Sequence, residues 1–393
     1  MFLIPAHVTT TFILAAITIY MPVLVRNLGY SATLVGVILA IAEGAGIMGP
    51  FLIGRFADKY GKYKWSIGLS VILSAAPALP LALFGRPVLS AIFIAIIGIG
   101  YRSSTPLVEA ITTINVGKSG NYGRIRISGS IAYVAFALFM QWVPVLRPDS
   151  ARNIALWIII TSILALTIIS FLPLKSTAVQ SSKEKILTDD TPNVLTKKIT
   201  LTPFLILGLI CIAFNRLAMA PIYSFLPLFL VEYMHWNAIG LMSALASAAE
   251  IPFMYISHRI IRRFGAMPII AIASVMVVVR LLLYAVFPFK AGVIIGQLLH
   301  SFCFGLFHPA AIAFISSSVP PEQRSFGMAL YLSLGNGLPL LIGNFLGGFI
   351  VEHFGFRFLF GSFAIFPILG LLTYFAGNLK QAAKLPPTEQ THT

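Results

Sequence analysis

The sequence predicts an all-α membrane protein with 12 transmembrane helices, arranged as two pseudo-symmetric six-helix bundles. Three observations predict this class. The 393 residues are 58% hydrophobic and 10% charged, with a mean hydropathy of +0.92, whereas soluble domains carry about 25% charged residues. Apolar runs that reach the ~20 residues needed to cross a bilayer recur along the whole chain. The two halves also repeat one another.

The predicted spans are numbered 1 to 12 in chain order. They cover residues 6–26, 32–54, 65–85, 88–114, 125–146, 153–173, 203–231, 238–260, 266–288, 291–318, 325–349 and 357–377. We expect helices because each span must satisfy its own backbone hydrogen bonds in lipid, and because the alternating pattern of barrel strands is missing from the sequence. The first span lacks the basic region and cleavage site of a signal peptide.

The distribution of Lys and Arg predicts the orientation. With a cytoplasmic N-terminus, eighteen of the 27 basic residues fall on the inside and six on the outside. We therefore expect both termini in the cytoplasm and a multi-pass protein of the cytoplasmic (inner) membrane. The net charge of +15 then reflects topology and anionic lipid rather than nucleic acid. Cys211 and Cys303 fall inside spans, so no disulfide framework is expected.

A long polar stretch divides the chain into two bundles. We predict an N-terminal bundle over residues 1–173, a cytoplasmic linker over 174–200, a C-terminal bundle over 201–379 and a tail over 380–393. The stretch "YMPVLVRNLGYSATLVG" aligns with "FLPLFLVEYMHWNAIG", which pairs Gly36 with Gly240 and, 25 residues later, Gly61 with Gly265. Parallel repeats of this kind are typical of transporters whose site lies between the halves.

The loop "GRFADKYGKYK" between predicted spans 2 and 3 resembles the signature loop of the major facilitator superfamily. The matching positions are Gly54, Asp58, Lys59 and Gly61. We expect Gly54 to let helices approach closely, and Asp58 to pair with basic residues or a helix end when an inner gate closes. The alternative is a generic basic loop at the cytoplasmic face.

Ionisable residues inside spans are costly and are candidates for function. Glu43 lies among small residues, and function or a structural ion pair both remain open for it. Glu250 continues a polar stripe with Ser243, Ser247 and Ser257 at helical spacing, which is typical of a cavity-lining face.

Three arginines also lie inside spans. Arg102 shares a helix face with Glu109, Arg216 follows Asn215 and shares a face with Tyr223, and Arg280 interrupts an apolar run. We expect Arg102 and Arg280 to form buried ion pairs, with contact to a ligand left open.

His300 and His308 bracket "HSFCFGLFH" in predicted span 10. Either can pass a proton. Eight residues place them about a quarter-turn apart, so one would line a cavity while the other packs. Cys303 beside His300 is weak evidence for a metal, so neither a metal nor a cofactor is predicted.

Several stretches resemble the lactose-permease-like clan of that superfamily. "PLVEA" with "YGRIRISGSIAY" and "VVVRLLL" are similar to lactose permease, and "QLLHSFCFGLFHPAA" is similar to the phenylpropionate permease group. The resemblance implies that Glu109 and Arg126 bind substrate together, and that Arg280 and His300 take the places of the buried arginine and histidine.

The chain departs from lactose permease at two positions. The carboxylate that carries the coupled proton there is replaced by Cys303. The sugar-contacting glutamate is replaced by Ser247, and a carboxylate follows one turn later at Glu250. The resemblance therefore moves the proton site to Glu250 or Glu43 and leaves galactoside specificity open.

We predict a monomeric secondary transporter that moves a small organic solute by proton symport and alternating access. Substrate contacts are assigned to Glu109, Arg126, Asn215, Arg216, Tyr223 and Ser247, and proton coupling to Glu250, Glu43, His300 and His308. An aromatic carboxylate, a sugar or a nucleoside all remain open as substrate. The alternatives are a proton antiporter that exports drugs or metabolites, and a non-transporting membrane sensor. An enzyme is not expected, because no catalytic constellation is visible.

Overall fold

A computed structural model describes residues 3–116, 122–143, 146–172, 202–320 and 323–382. All regular structure in these residues is helical, as expected where lipid offers no hydrogen-bond partners to the backbone. Several helices begin at a hydroxyl cap: the side chains of Ser31, Ser150 and Thr202 each accept a hydrogen bond from a backbone N–H three residues on.

Six helices form the first half. They are α1 (Ile4–Arg26), α2 (Ala32–Tyr60), α3 (Tyr63–Leu83), α4 (Pro87–Val116), α5 (Tyr122–Trp142) and α6 (Ala151–Phe171). Helix α2 contains a π-helical turn at Pro50–Gly54, and α3 is interrupted before Ala78.

The second half continues the numbering. It contains α7 (Pro203–Tyr233), α8 (Ile239–Phe264), α9 (Ala266–Val286), α10 (Lys290–Ser318), α11 (324–354) and α12 (356–382). Further π-helical turns lie at Phe229–Tyr233 in α7, at Ser301–Leu306 in α10 and at Ser333–Gly337 in α11.

Ten helices among the described residues are long and apolar enough to span a membrane. The apolar part of α5, Ile127–Trp142, falls short of that length. The last of the ten runs over Gly327–Gly377, and Gly355 divides it with a φ of 81°. Counting α5 as a span and dividing that segment at Gly355 gives the predicted twelve, which remains our interpretation.

The predicted span positions agree closely with the helices, with differences at the ends. Helix α2 continues through the predicted loop to Tyr60, because the π turn at Pro50–Gly54 keeps the helical hydrogen bonds going past Pro50. The predicted linker, residues 174–200, lies outside the described residues, as does the tail from residue 383, so the four-part division of the chain stays a prediction.

The two halves meet through two equivalent helix pairs. Gly36 of α2 lies against the backbone of α11 at Asn344 and Gly348. Gly240 of α8 lies against α5 at Ala137 and Gln141. Gly36 and Gly240 are the glycines that the repeat alignment pairs, so the same small residue permits the same close approach in both halves.

Polar side chains join the halves at the predicted outer end. The Arg26 guanidinium makes two hydrogen bonds to the Glu232 carboxylate, at 2.6 and 3.2 Å. Gln141 of α5 accepts from the N–H groups of Gly240 and Leu241 at the start of α8. Glu352 of α11 accepts from the N–H of Thr33 at the start of α2. Each half therefore satisfies helix N-terminal groups of the other, and this end of the bundle is closed.

One expectation about the signature loop is wrong. A Cβ added to Gly54 would meet nothing within 4 Å, because Gly54 ends the π turn and faces open space rather than another helix. Asp58 accepts a short hydrogen bond from the hydroxyl of Tyr63, and Lys59 lies over the ring of Tyr60. Gly61 ends α2 with a φ of 64°, a conformation that favours glycine.

Candidate transport site

A column of stacked rings follows one face of α10. The Phe304 ring stacks on His300 at 5.6 Å and on His308 at 5.2 Å between ring centroids, with interplanar angles of 2° and 5°. The predicted quarter-turn between the two histidines is therefore wrong. The π turn at Ser301–Leu306 takes more residues per turn than an α-helix, so residues four apart fall in line instead of drifting around the axis.

Arg280 of α9 binds His300 through a fully buried network. Its Nη1 donates to His300 Nδ1 at 2.8 Å, its Nε donates to the Tyr284 hydroxyl at 2.9 Å, and its Nη2 donates a short hydrogen bond to Gln297 Oε1. Arg280 is 1% exposed and Gln297 is 4% exposed. All three partners are neutral acceptors, so they position the guanidinium without cancelling its charge.

Glu250 of α8 lies on the other side of His300. Its Oε2 is 3.4 Å from His300 Nε2, but the two atoms are not aligned as a hydrogen bond, and Oε2 is buried without a hydrogen-bond partner. A buried carboxylate oxygen without a donor is costly. Glu250 therefore ends a chain that runs from Arg280 through His300, with one acceptor atom unsatisfied.

Arg216 of α7 is 3% exposed and lies beside the same column. Its Nη1 donates to the Tyr223 hydroxyl at 3.1 Å, and the guanidinium carbon lies 5.1 Å from the ring centroids of both Phe304 and Phe307. Its Nε is buried without a partner. Among the described residues, no carboxylate lies within ion-pairing distance of Arg216. Its charge is instead held by aromatic faces and by the hydroxyls of Tyr223 and Tyr331.

Asn215 precedes Arg216 on α7 and has a partner on α9. Its Nδ2 donates to Ser274 of α9 at 3.1 Å, and Asn215 is fully buried, so its amide links α7 to α9. Ser247 lies on α8 one turn before Glu250 and is half-buried.

Glu43 and Arg102 form a short ion pair between α2 and α4. Arg102 also donates to the Tyr101 hydroxyl at 2.9 Å. Arg102 is therefore the partner that a structural ion pair of Glu43 requires. The ion pair expected for Arg280 is not seen: its partners are neutral, and it forms no ion pair within the described part of the chain.

The predicted Glu109–Arg126 pair is described in part. Glu109 is half-buried on α4. The backbone of Arg126 lies in the first turns of α5, and its side chain lies outside the described residues. One turn from Glu109, Thr112 hydrogen-bonds to His7 of α1 at 2.8 Å.

Sequence reasoning missed Gln297, Tyr284, Tyr331 and His7. The first three are uncharged and stand out only by their partners; Tyr331 lies 2.7 Å from His308 Nδ1. His7 is ionisable, but it begins the first span, where it resembles a membrane-end residue. In the described residues, no group of three His, Cys, Asp or Glu side chains is placed to hold a metal ion.

The arrangement of buried charges between two repeated halves agrees with a family comparison. The model of the MFS_1 like family matches residues 12–362 of the chain. The chain belongs to this family. It is a multi-pass membrane transporter of the major facilitator superfamily and not an enzyme.

Curated relatives cover most of the chain. The maltose permease of Geobacillus stearothermophilus is 25% identical over 331 residues, which are 82% of this chain and 79% of the permease. The putative nucleoside transporter YegT of Escherichia coli is 25% identical over 342 residues, which are 82% of this chain and 78% of YegT.

Solved structures have the same fold. The nucleoside transporter NupG superposes with a TM-score of 0.76 at 18% identity, over 95% of this chain and 98% of NupG. The xylose transporter XylE from E. coli superposes with a TM-score of 0.71 at 14% identity, over 99% of this chain and 97% of XylE. At these identities the likeness concerns the fold alone, and the phenylpropionate permease resemblance stays a prediction.

Proposed function

We propose that the protein is a monomeric proton symporter that takes up a small organic solute across the cytoplasmic membrane, with both termini in the cytoplasm. The observation that carries this proposal is the chain from Arg280 through His300 to the unsatisfied carboxylate of Glu250. Buried carboxylates and histidines in transporters mark proton sites. A fold relative, described as a D-xylose-proton symporter, supports this coupling; its TM-score is 0.70 at 17% identity.

Glu250 is the proposed proton carrier. It is the carboxylate of the second half that lies within the polar chain. Its Oε2 atom has no hydrogen-bond partner among the described residues, so it can bind a proton or accept a hydrogen bond. Glu43, in contrast, is neutralised by Arg102. We assign Glu250 the proton and Glu43 a structural pair.

Arg216 and Tyr223 form the proposed substrate anchor in the second half, and Glu109 and Arg126 remain the proposed substrate contacts of the first. Arg216 combines an unpartnered Nε with a guanidinium fixed by Tyr223 and two rings, which suits an acceptor oxygen on a ligand. An aromatic carboxylate would supply such an acceptor oxygen together with a negative charge that pairs with the guanidinium. The names of the maltose permease, YegT and NupG favour a sugar or a nucleoside.

Coupling requires that proton and substrate both favour the same conformational change. Glu250 and Arg216 share one cluster, because Phe304 stacks on His300 and also faces the Arg216 guanidinium. Protonation of Glu250 removes one negative charge from this cluster, and substrate adds acceptor atoms to it. Occupation of both sites lets the halves rock, which opens the closed outer end in one state and the opposite end in the other.

Uptake into proteoliposomes under an imposed inward proton gradient tests the proposal. The compounds are 3-phenylpropionate, lactose, D-xylose and uridine, each with and without a protonophore. We expect accumulation of one compound class that the protonophore abolishes. Glu250→Gln is expected to lose this accumulation and keep exchange of the same compound between the two sides, because exchange needs no net release of the proton.

Two results overturn the proposal. Unchanged proton-driven accumulation in Glu250→Gln would remove Glu250 as the carrier. Active efflux under a reversed gradient, with no uptake of any compound, would identify an antiporter.

A further inference from the structure

His300 carries its single N–H on one fixed nitrogen. A guanidinium has five N–H donors and no acceptor, so the 2.8 Å contact between Arg280 Nη1 and His300 Nδ1 requires Nδ1 to be the acceptor. Neutral imidazole carries one proton, which then resides on Nε2. Nε2 is the nitrogen that faces Glu250 Oε2 at 3.4 Å.

We infer that His300 keeps its single N–H on the nitrogen that faces Glu250 and is not a proton relay, and that Gln297 is the positioning residue that fixes this orientation. This inference rests on the proposed role of Glu250 as the proton carrier. To take a proton from Glu250, His300 would need a free lone pair, and Arg280 occupies the one it has.

Arg280 cannot withdraw easily from His300. Its other two nitrogens are bound to Gln297 and Tyr284, and all three side chains are buried. Gln297 comes from the same helix as His300, three residues earlier, so the acceptor and the histidine move together with α10. Loss of the Gln297 acceptor would leave a buried N–H unsatisfied and free the guanidinium to turn.

The surrounding charges oppose a second proton on the ring. Within the part of the chain that the structure describes, the charged and titratable groups around the His300–Glu250 pair are Arg280 and Tyr284 of α9, Arg216 and Tyr223 of α7, Cys303 of α10 and Tyr133 of α5. Two of them are guanidiniums. An imidazolium at His300 would place an N–H against an N–H of Arg280 and a third cation in the cluster. The proton on Glu250 therefore leaves to water in the opened cavity.

Nitrogen NMR of full-length protein labelled with 15N-histidine tests the tautomer directly, without any substrate. The His300 signals are those lost in His300→Gln. We expect a single neutral tautomer with the proton on Nε2, because Arg280 Nη1 occupies Nδ1. Gln297→Leu is expected to give a mixture of tautomers, and Gln297→Glu, which keeps an acceptor for Arg280, is expected to restore a single one. A proton on Nδ1, or an imidazolium at pH 6, would overturn the inference.

Proteoliposome uptake of the same four compounds separates the two proposals. The glutamine of His300→Gln keeps an amide donor near Nε2, so we expect protonophore-sensitive accumulation to fall by about tenfold at most, whereas a lost proton relay would reduce it ~100-fold or more. Loss of accumulation in both His300→Gln and Glu250→Gln would refute the inference and leave symport standing. Persistence in Glu250→Gln would refute the proposed carrier, while the NMR result would still stand.

Discussion

Gly36 of α2 and Gly348 of α11 are in backbone contact: a Cβ added to Gly36 would lie 2.8 Å from the Cα of Gly348. In the other half, a Cβ on Gly240 would lie 2.9 Å from the Tyr20 hydroxyl and 3.1 Å from the Cβ of Gln141. Both contacts join one half to the other near the predicted outer end. The distance between the helices at these two contacts therefore limits how tightly that end can close.

We predict that Gly36→Ala opens the outer end. The added methyl group forces the backbones of α2 and α11 apart in the closed state, at a cost of about 1–3 kcal/mol, which raises the ratio of open to closed molecules by about 5- to 150-fold. Spin labels at Arg152→Cys in the first half and Lys290→Cys in the second, both exposed at that end, measure the separation. The native Cys211 and Cys303 are buried.

Gly68→Ala is the matched control. Its Cβ would meet one Leu166 methyl group at 4.0 Å, within the first half, so the distance distribution should stay as in the wild type. An unchanged distribution in Gly36→Ala would show that the contact does not limit closure.

The Arg26–Glu232 pair gives a second test of the same end. Both side chains are about one-third exposed, so the pair is expected to contribute no more than about 1 kcal/mol. Glu232→Arg places two cations together and should lengthen the label distance. Arg26→Glu with Glu232→Arg restores opposite charges and should shorten it again. A charge-swapped double variant as open as the single variant would assign no gating role to the pair.

Part of the contact between the halves at the outer end could be predicted from the sequence. The repeat alignment paired Gly36 with Gly240, and these two glycines make equivalent close contacts between the halves. The bonds of Gln141 to α8 and of Glu352 to α2 were not predicted, because they join residues about 100 and 320 positions apart and follow no local pattern. Hydropathy alone does not predict which residues of two distant helices lie opposite each other.

The chemistry of the site was predicted less completely. Glu250, Arg216 and Arg280 were identified by their charge inside a span, since an ionisable residue in a membrane span is costly and is therefore a candidate for function. The stacking of His300 on Phe304 was missed, because a π turn shifts the register of a helix and leaves its hydropathy unchanged. Gln297 was missed because a neutral amide in a span carries little cost, and its role depends on the guanidinium that it faces.

Gly61 and Gly265 are equivalent in the repeat but differ in backbone conformation. Gly61 has φ 64° and ψ 16°, a left-handed conformation that asparagine tolerates, whereas Gly265 has φ 84° and ψ 160°, which is open essentially to glycine alone. We predict that Gly61→Asn has little effect on thermal stability in detergent. Gly265→Asn should lower stability by about 1–3 kcal/mol. Equal losses in the two variants would contradict this distinction.

The Glu43–Arg102 pair decides between the two interpretations of Glu43. If the pair is structural, Glu43→Gln leaves the Arg102 guanidinium, which is about one-third exposed, without its charged partner and should destabilise the protein by about 1–3 kcal/mol. Glu43→Gln with Arg102→Gln removes both charges, and we expect it to recover most of the lost stability. Melting temperatures of the purified variants measure these changes.

Proton-driven uptake in the same variants provides the complementary readout. A structural pair predicts that the double variant keeps accumulation that a protonophore abolishes, because Glu250 still carries the proton. If Glu43→Gln kept its stability but lost accumulation, and the double variant failed to regain it, Glu43 would be the proton carrier. The Glu250→Gln variant would then be expected to accumulate substrate, so the pair of glutamates can be assigned by measuring all three variants side by side.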